Sequence, residues 1–236
     1  MRLKFAIVAV VLLVTLSGCV TTFESGPAEV NQDILDKHSY NETEQDDISL
    51  NQNISISEIN FTKNISFSSW LTEYEKETTE TTLFSENYTP IKYTTISTPS
   101  INIEGRELNP IGASNKSSVD IFRGLSNSSE TNDTENSEND TGNVTGGFEI
   151  HDKVNEFNRT HIPTDSNITI FKYNATFYDD SIDAQFEGYV YTSTVRIDET
   201  YIVMLGGFPK MFEEEDEMIE LIQNTDERIS ESEDGN

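Results

Sequence analysis

Residues 168–205 read ITIFKYNATFYDDSIDAQFEGYVYTSTVRIDETYIVML. β-Branched and aromatic residues dominate three runs, separated by Asp179-Asp180-Ser181 and Asp198-Glu199. In the first run Phe171, Tyr173, Ala175 and Phe177 alternate with Lys172, Asn174 and Thr176. Successive strand residues point to opposite faces, so this spacing describes a strand with one face to bury. In the second, Ala184, Phe186 and Val190 alternate against Gln185, Glu187 and Tyr189. Tyr201 to Leu205 is nearly all apolar, the composition of a central strand covered on both sides. Short acidic turns between such runs make an antiparallel meander.

Working outward, Pro209 is expected to open a helix at the position where a missing N–H costs nothing. Gly206-Gly207 would be the strand-to-helix turn before it, and Glu213, Glu214, Glu215 and Asp216 favour the positive end of its dipole. Phe212, Met218 or Ile219, and Ile222 would form its buried stripe. Upstream, Ile54–Phe61 and Ile65–Tyr74 read as a hairpin turning at Thr62-Lys63-Asn64. Ile91–Ile103 reads as a β stretch in which Pro99 marks an edge or bulge. Ala28–Lys37 reads as a short helix, Asn41–Asn53 as a polar loop and Val119–Leu125 as a short apolar, helical piece. Ser126–Gly147 is a low-complexity segment too poor in apolar residues to offset its ordering entropy, so disorder is expected. The expected class is α+β: an antiparallel sheet (meander plus hairpin) packed with a C-terminal amphipathic helix and a short N-terminal helix. A single domain would comprise residues 19–125 and 148–229, with a disordered loop at 126–147 and a polar tail at 230–236.

The first 18 residues read as a secretory signal. Arg2 and Lys4 precede the apolar run Phe5–Leu16, which is too short to span a bilayer. Leu16-Ser17-Gly18-Cys19 then matches a lipobox, in which Cys19 carries a glyceryl lipid and becomes the first mature residue. Cys19 is the chain's one cysteine, which excludes an internal disulfide framework and a dithiol pair. The expected location is the outer face of the cytoplasmic membrane.

Beyond residue 18 the chain holds 13 Lys and Arg against 43 Asp and Glu, a net charge of −30. Such a balance repels phosphates and argues against a nucleic-acid partner. Acids interleaved with alternating apolar residues suit a folded domain in molar salt, where screening shortens to about 3 Å. Thirteen of 21 asparagines lie in Asn-X-Ser/Thr sequons. Asn53, Asn60, Asn64, Asn127, Asn132, Asn139, Asn143, Asn167 and Asn174 are the candidate glycosylation sites.

No catalytic or metal constellation stands out, and no cofactor is indicated. His38, His151 and His161 form no short ligand pair and read as exposed or capping residues. Asp179, Asp180 and Asp183 do not have the spacing of a twelve-residue calcium loop and read as a turn. Trp70, Tyr74, Tyr93, Tyr173, Tyr189 and Tyr191 read as core, with a ligand groove as the alternative.

Two stretches carry a resemblance: ISFSSWLTEYEK at 65–76 and STPSINIEGRELNPIG at 97–112. With Phe23–Val30, the lipobox and the closing strand and helix, they resemble an uncharacterised haloarchaeal lipoprotein family, a domain of unknown function. That resemblance implies an anchored extracytoplasmic α+β domain and assigns no functional residues. The expected role is a non-catalytic envelope protein, held to the membrane through the lipid on Cys19, that binds an extracellular protein or small ligand. A carrier of a hydrophobic ligand and a hydrolase using scattered Asp, Glu and His stay open as alternatives.

Overall fold

The computed structural model describes residues 23–56, 61–76, 84, 89–103, 106–108, 147–179 and 181–227. Twelve strands and two helices lie in these segments. They are β1 (Phe23–Glu24), β2 (Ala28–Val30), α1 (Gln32–His38), β3 (Tyr40–Ile56), β4 (Phe61–Lys76), β5 (Ile91–Pro99), β6 (Ile101–Ile103), β7 (Arg106–Leu108), β8 (Phe148–His161), β9 (Ser166–Asp179), β10 (Ala184–Ile197), β11 (Thr200–Pro209), α2 (Glu215–Gln223) and β12 (Thr225–Glu227).

Eight strands form one sheet in the order β4-β5-β11-β10-β9-β8, with β3 on the far side of β4 and β1 beside β4 next to β5. Every pairing is antiparallel except that of β1 with β4, which joins Phe23 to Phe67 and Glu24 to Ser68. β12 pairs with β2 in a separate two-stranded sheet. The architecture is the expected α+β arrangement, with a meander of β8 to β11. Asp165, Asp183 and Asp198 hold left-handed φ of 51°, 50° and 47° in its three turns. Asp tolerates that region better than most non-glycine residues, which is why acids could mark the turns.

Both faces of the sheet are buried, in different places. On the first face Tyr74, Tyr93, Tyr191, Ile202, Met204 and Phe208 pack under α2, which contributes Met218, Ile219, Leu221 and Ile222. On the second, Ile96, Ala175, Phe177, Val190, Val203 and Leu205 form another cluster with Phe148. β9 contributes to both: its pairing with β10 is continuous, while the register shifts of its pairing with β8 add their extra residues on the β8 side. Its even residues Ile168 and Ile170 bury toward the helix, and its odd residues Ala175 and Phe177 bury away from it. β11, central and apolar on both sides, behaves as its composition requires.

Several expectations are corrected. Asn41–Asn53 is strand, not loop, because β3 is an edge strand whose exposed acids mimic a loop in composition. The hairpin therefore runs from Tyr40 to Lys76, and Thr62, Lys63 and Asn64 lie within β4 rather than at a turn. The N-terminal helix starts at Gln32, since Asn31 Oδ1 accepts from the Asp33 amide at 2.8 Å and caps it, while Ala28–Val30 pairs as a strand. Pro99 is the last residue of β5, an interior strand, where its lost donor no longer interrupts the ladder. Pro209 ends β11 and does not open the helix, whose N-cap is Glu214. Gly206 and Gly207 sit inside β11, paired with Tyr191 and Val190. Their reason is close approach. A Cβ on Gly206 would lie 2.0 Å from Met218 Sδ, and one on Gly207 3.0 Å from the Phe177 ring. Val119–Leu125 and nearly all of Ser126–Gly147 lie outside the described residues.

Candidate functional site

The acidic face of α2 meets the cations of three neighbouring elements. Lys37 and His38 end α1, Lys76 ends β4 and Lys172 lies mid-β9. Glu214, Glu215, Glu217 and Glu220 recur at helical spacing and so line up along that seam. Lys37 Nζ approaches Glu220 at 2.6 Å, and Lys76 Nζ bridges Glu214 at 2.7 Å and Glu217 at 2.6 Å. Lys172 pairs with Glu215, whose carboxylate also accepts from the Tyr191 hydroxyl. Each lysine with a described side chain has a carboxylate partner; Lys92, Lys153 and Lys210 pair with Glu75, Glu156 and Glu187.

Burial decides which of these pairs count. Lys153 and Lys210 are 48% and 39% exposed, so their ion pairs contribute little, least of all in high salt. Lys76 and Glu214 are 17% and 15% exposed and Lys172 is 14%, so these are shielded from salt and fix the helix on the sheet. Lys172 also lies 3.9 Å from the Tyr189 ring centroid and 5.4 Å from that of Tyr191, over π faces that favour a cation.

Glu214 and Glu217 act as a unit. Burial, and then the hydrogen bond to Glu217, hold the Glu214 carboxyl above the ordinary carboxylate range. Burial pushes Glu217 the same way, but Glu214 and Lys76 outweigh it and bring it below. Of the two, Glu217 therefore loses its proton first as pH rises. Tyr40, 3% exposed, lies beside them and is held protonated by burial first and by both carboxyls next. Its buried hydroxyl has no hydrogen-bond partner among the described residues. His38 Nε2 is 2.9 Å from Glu220 and its Nδ1 is 3.4 Å from Glu217. The contact of histidine with carboxylate that a hydrolase would need is therefore present, in a seam where cations already engage the acids.

The other histidines are dispersed. His151 is exposed and touches Thr176 at 2.8 Å. His161, expected at the surface, is fully buried. Its Nε2 donates to the Thr225 carbonyl at 2.6 Å, so Nδ1 carries no proton and accepts from Thr164 Oγ1 at 2.8 Å. Ile162 N–H to Gln223 O at 2.8 Å and Gln223 Nε2 to Thr160 O at 2.8 Å complete a clasp between the β8–β9 turn and the end of α2. No sequence signal marks this burial, because the partner carbonyl lies 64 residues away.

This clasp predicts a pH dependence. Burial holds His161 below its ordinary value of 6.5, outweighing the Thr225 carbonyl and Asp226, which pull the other way. The native state then binds fewer protons than the unfolded chain just below that value, so stability is full above about pH 6.5 and declines as pH falls toward the native pKa. Denaturation midpoints from pH 7.5 to 5 are expected to fall more steeply for the wild type than for His161→Gln. Parallel curves would show that His161 is not the titrating group.

Of the other candidate residues, Asp179 is buried and its Oδ1 accepts from the Ser181 amide at 3.1 Å, which makes a turn. Among the described residues, no group of His, Cys, Asp and Glu has the geometry to hold a metal ion. Tyr74, Tyr93 and Tyr191 are fully buried core residues. Asn53 and Asn64 are direct cross-strand partners in β3 and β4, Asn167 is exposed in β9 and Asn174 is half-buried. Cys19, Asn60, Asn127, Asn132, Asn139 and Asn143 lie outside the described residues. No helix among the described residues is long and apolar enough to cross a membrane.

Among curated proteins none matches the chain. A family model matches residues 27–226, from the turn before β2 to β12, and the chain belongs to the family described as Domain of unknown function (DUF6517).

Proposed function

We propose that the chain is a lipid-anchored envelope protein, held on the outer face of the cytoplasmic membrane of a haloarchaeon through Cys19. It is non-catalytic there and binds an extracellular protein or small ligand. The observation that carries this is the lipobox Leu16-Ser17-Gly18-Cys19, only four residues before β1. Two lipid chains suffice for stable anchoring. Four residues reach at most about 14 Å, which would hold the domain close to the bilayer.

Strand direction gives the anchored domain an orientation. β1 runs parallel to β4, so the chain enters from the end at which β4 starts. Lys76 closes the opposite end, nine residues or about 30 Å beyond Phe67. The acidic seam of α1, β4 and α2 would then face away from the membrane, where a partner can reach it. The net charge of −30 would suit a molar-salt exterior.

Replacing Cys19 with Ser in the native host is expected to move the protein from the membrane fraction to the medium and to remove the lipid mass from the N-terminal peptide. Unchanged membrane retention and mass would overturn the anchor. Crosslinking of intact cells at native salt is expected to capture partners through the α2 end.

A further inference from the structure

Asn41, Asn158, Asn167 and Asn174 are the sequon asparagines with described side chains, and the fold treats them differently. Asn41 and Thr43 are exposed, but Thr43 sits at the register shift of β3 and its hydroxyl donates to the Glu73 carbonyl at 3.4 Å. The bulge turns that hydroxyl toward β4. Asn174 and Thr176 are half-buried, and Thr176 Oγ1 is bonded to His151 Nε2 at 2.8 Å. Asn158-Arg159-Thr160 and Asn167-Ile168-Thr169 lie beyond the register shifts of β8, where its ladder with β9 is regular from Asn155 to His161.

Register sets these last two sequons against each other. Asn158 lies opposite Thr169, and Thr160 lies opposite Asn167. Cross-strand partners share a face, and so do residues two apart, so the four side chains form one patch. Asn158, Thr160 and Asn167 are exposed, and Thr169 is half-buried. Thr169 Oγ1 donates to Asn158 Oδ1 at 3.2 Å. That bond engages the hydroxyl of the Asn167 sequon. It also holds the Asn158 amide by its oxygen, leaving Nδ2 without a partner among the described residues. The Thr160 hydroxyl is likewise free among them, since only its carbonyl is used, accepting from Gln223 Nε2 at 2.8 Å. β8 is the last strand of the sheet, with no strand on its outer side among the described residues, so a bulky group can approach.

We propose that Asn158 carries an N-linked glycan, attached at the one sequon of this patch whose amide nitrogen and hydroxyl are both free. Asn-X-Thr is the acceptor motif of exported chains, so the inference rests on the anchored, extracytoplasmic reading above. In the transfer, Asn158 Nδ2 attacks the anomeric carbon of an oligosaccharide held on a lipid phosphate or pyrophosphate. The N–C bond forms, the C–O bond to the phosphate breaks, the phosphate leaves with the electron pair and the amide gives up one proton. The product keeps its carbonyl oxygen, so the hydrogen bond from Thr169 survives and orients the first sugar against β8.

The test is peptide mapping of the full chain purified from the native host. Trypsin cuts after Lys153, Arg159 and Lys172, so Asn158 and Asn167 fall on different peptides. Peptide 154–159 is expected to carry a saccharide mass that fragmentation places on Asn158. Thr160→Ala is expected to abolish it, Thr160→Ser to keep it and Asn167→Gln to leave it unchanged. Thr160 is exposed, so loss in Thr160→Ala with retention in Thr160→Ser separates the acceptor chemistry from a folding defect. A bare 154–159 peptide in the wild type would overturn the inference, as would an occupied one in Thr160→Ala. The same digest reads Cys19. A bare Asn158 on a chain with lipidated Cys19 removes this inference alone, whereas a bare Asn158 on a chain without the lipid removes the anchored reading with it.

Discussion

Gly188→Ala is expected to destabilise the domain by about 3 kcal/mol, the upper part of the range for forcing a methyl into a packed core. A Cβ at Gly188 would stand 2.2 Å from Phe177 Cε2, 2.6 Å from Phe177 Cδ2 and 2.4 Å from the Phe208 carbonyl oxygen. The ring has no room to rotate away, because Phe177 is 3% exposed and packs on Phe148 at a centroid distance of 5.4 Å. The carbonyl belongs to β11, whose ladder with β10 runs from Gly188 to Ile197. Removing glycine's backbone freedom from the unfolded chain returns only about 0.5–1 kcal/mol, too little to reverse the sign. Gly207→Ala supplies the internal control: its nearest atoms stand at 3.0 Å, so a few tenths of an ångström of relaxation suffice and its cost should be smaller. Denaturant titration at native salt measures both. A Gly188→Ala protein as stable as the wild type, or less affected than Gly207→Ala, would show that Phe177 does not occupy this seat.

Met218→Ala is expected to cost about 3 kcal/mol, within the 2–5 kcal/mol found for truncating buried aliphatic side chains. Met218 is fully buried, and it is the residue by which α2 seats on β11. The seat exists because Gly206 has no side chain: a Cβ there would meet Met218 Sδ at 2.0 Å and Tyr93 Cδ2 at 2.9 Å. Gly206→Ala alone should therefore cost about 1–3 kcal/mol by overpacking. The double variant should be more stable than the two losses added together, by about 1 kcal/mol or more, because the truncated Met218 vacates the space the new methyl needs. Strict additivity in a double-mutant cycle would mean that helix and strand do not meet at this pair.

The two glycine seats show where reading the chain one element at a time stops. Gly206-Gly207 before Phe208-Pro209 has the local appearance of a turn opening a helix, and Pro209 suits a first helical position. Nothing within ten residues says otherwise. The deciding contacts come from Met218 on the helix, Phe177 on β9 and Tyr93 on β5. Asn41–Asn53 was misleading in the converse way. An edge strand facing solvent needs no apolar alternation, and its partner residues lie in β4. The same holds for the candidate site. Acids in the first turns of the helix were legible, but that Lys76, Lys172 and His38 converge on its acidic face was not, because those cations are separated from their carboxylates by 43 to 182 residues.

What the chain determined by itself is what depends on near neighbours. Period-two alternation set the strands of the meander, Asp-rich turns with left-handed backbone joined them, and the amphipathic stripe of Met218, Ile219 and Ile222 defined the closing helix. The α+β class follows from that alone. Tertiary structure decided which face of each strand is covered and by what. β9 buries Ile168 and Ile170 on one side and Ala175 and Phe177 on the other, and His161 is withdrawn from solvent to bond a carbonyl of β12. The physical reason is that burial and charge pairing are properties of space shared by distant segments, while backbone conformation is selected within a few residues of itself.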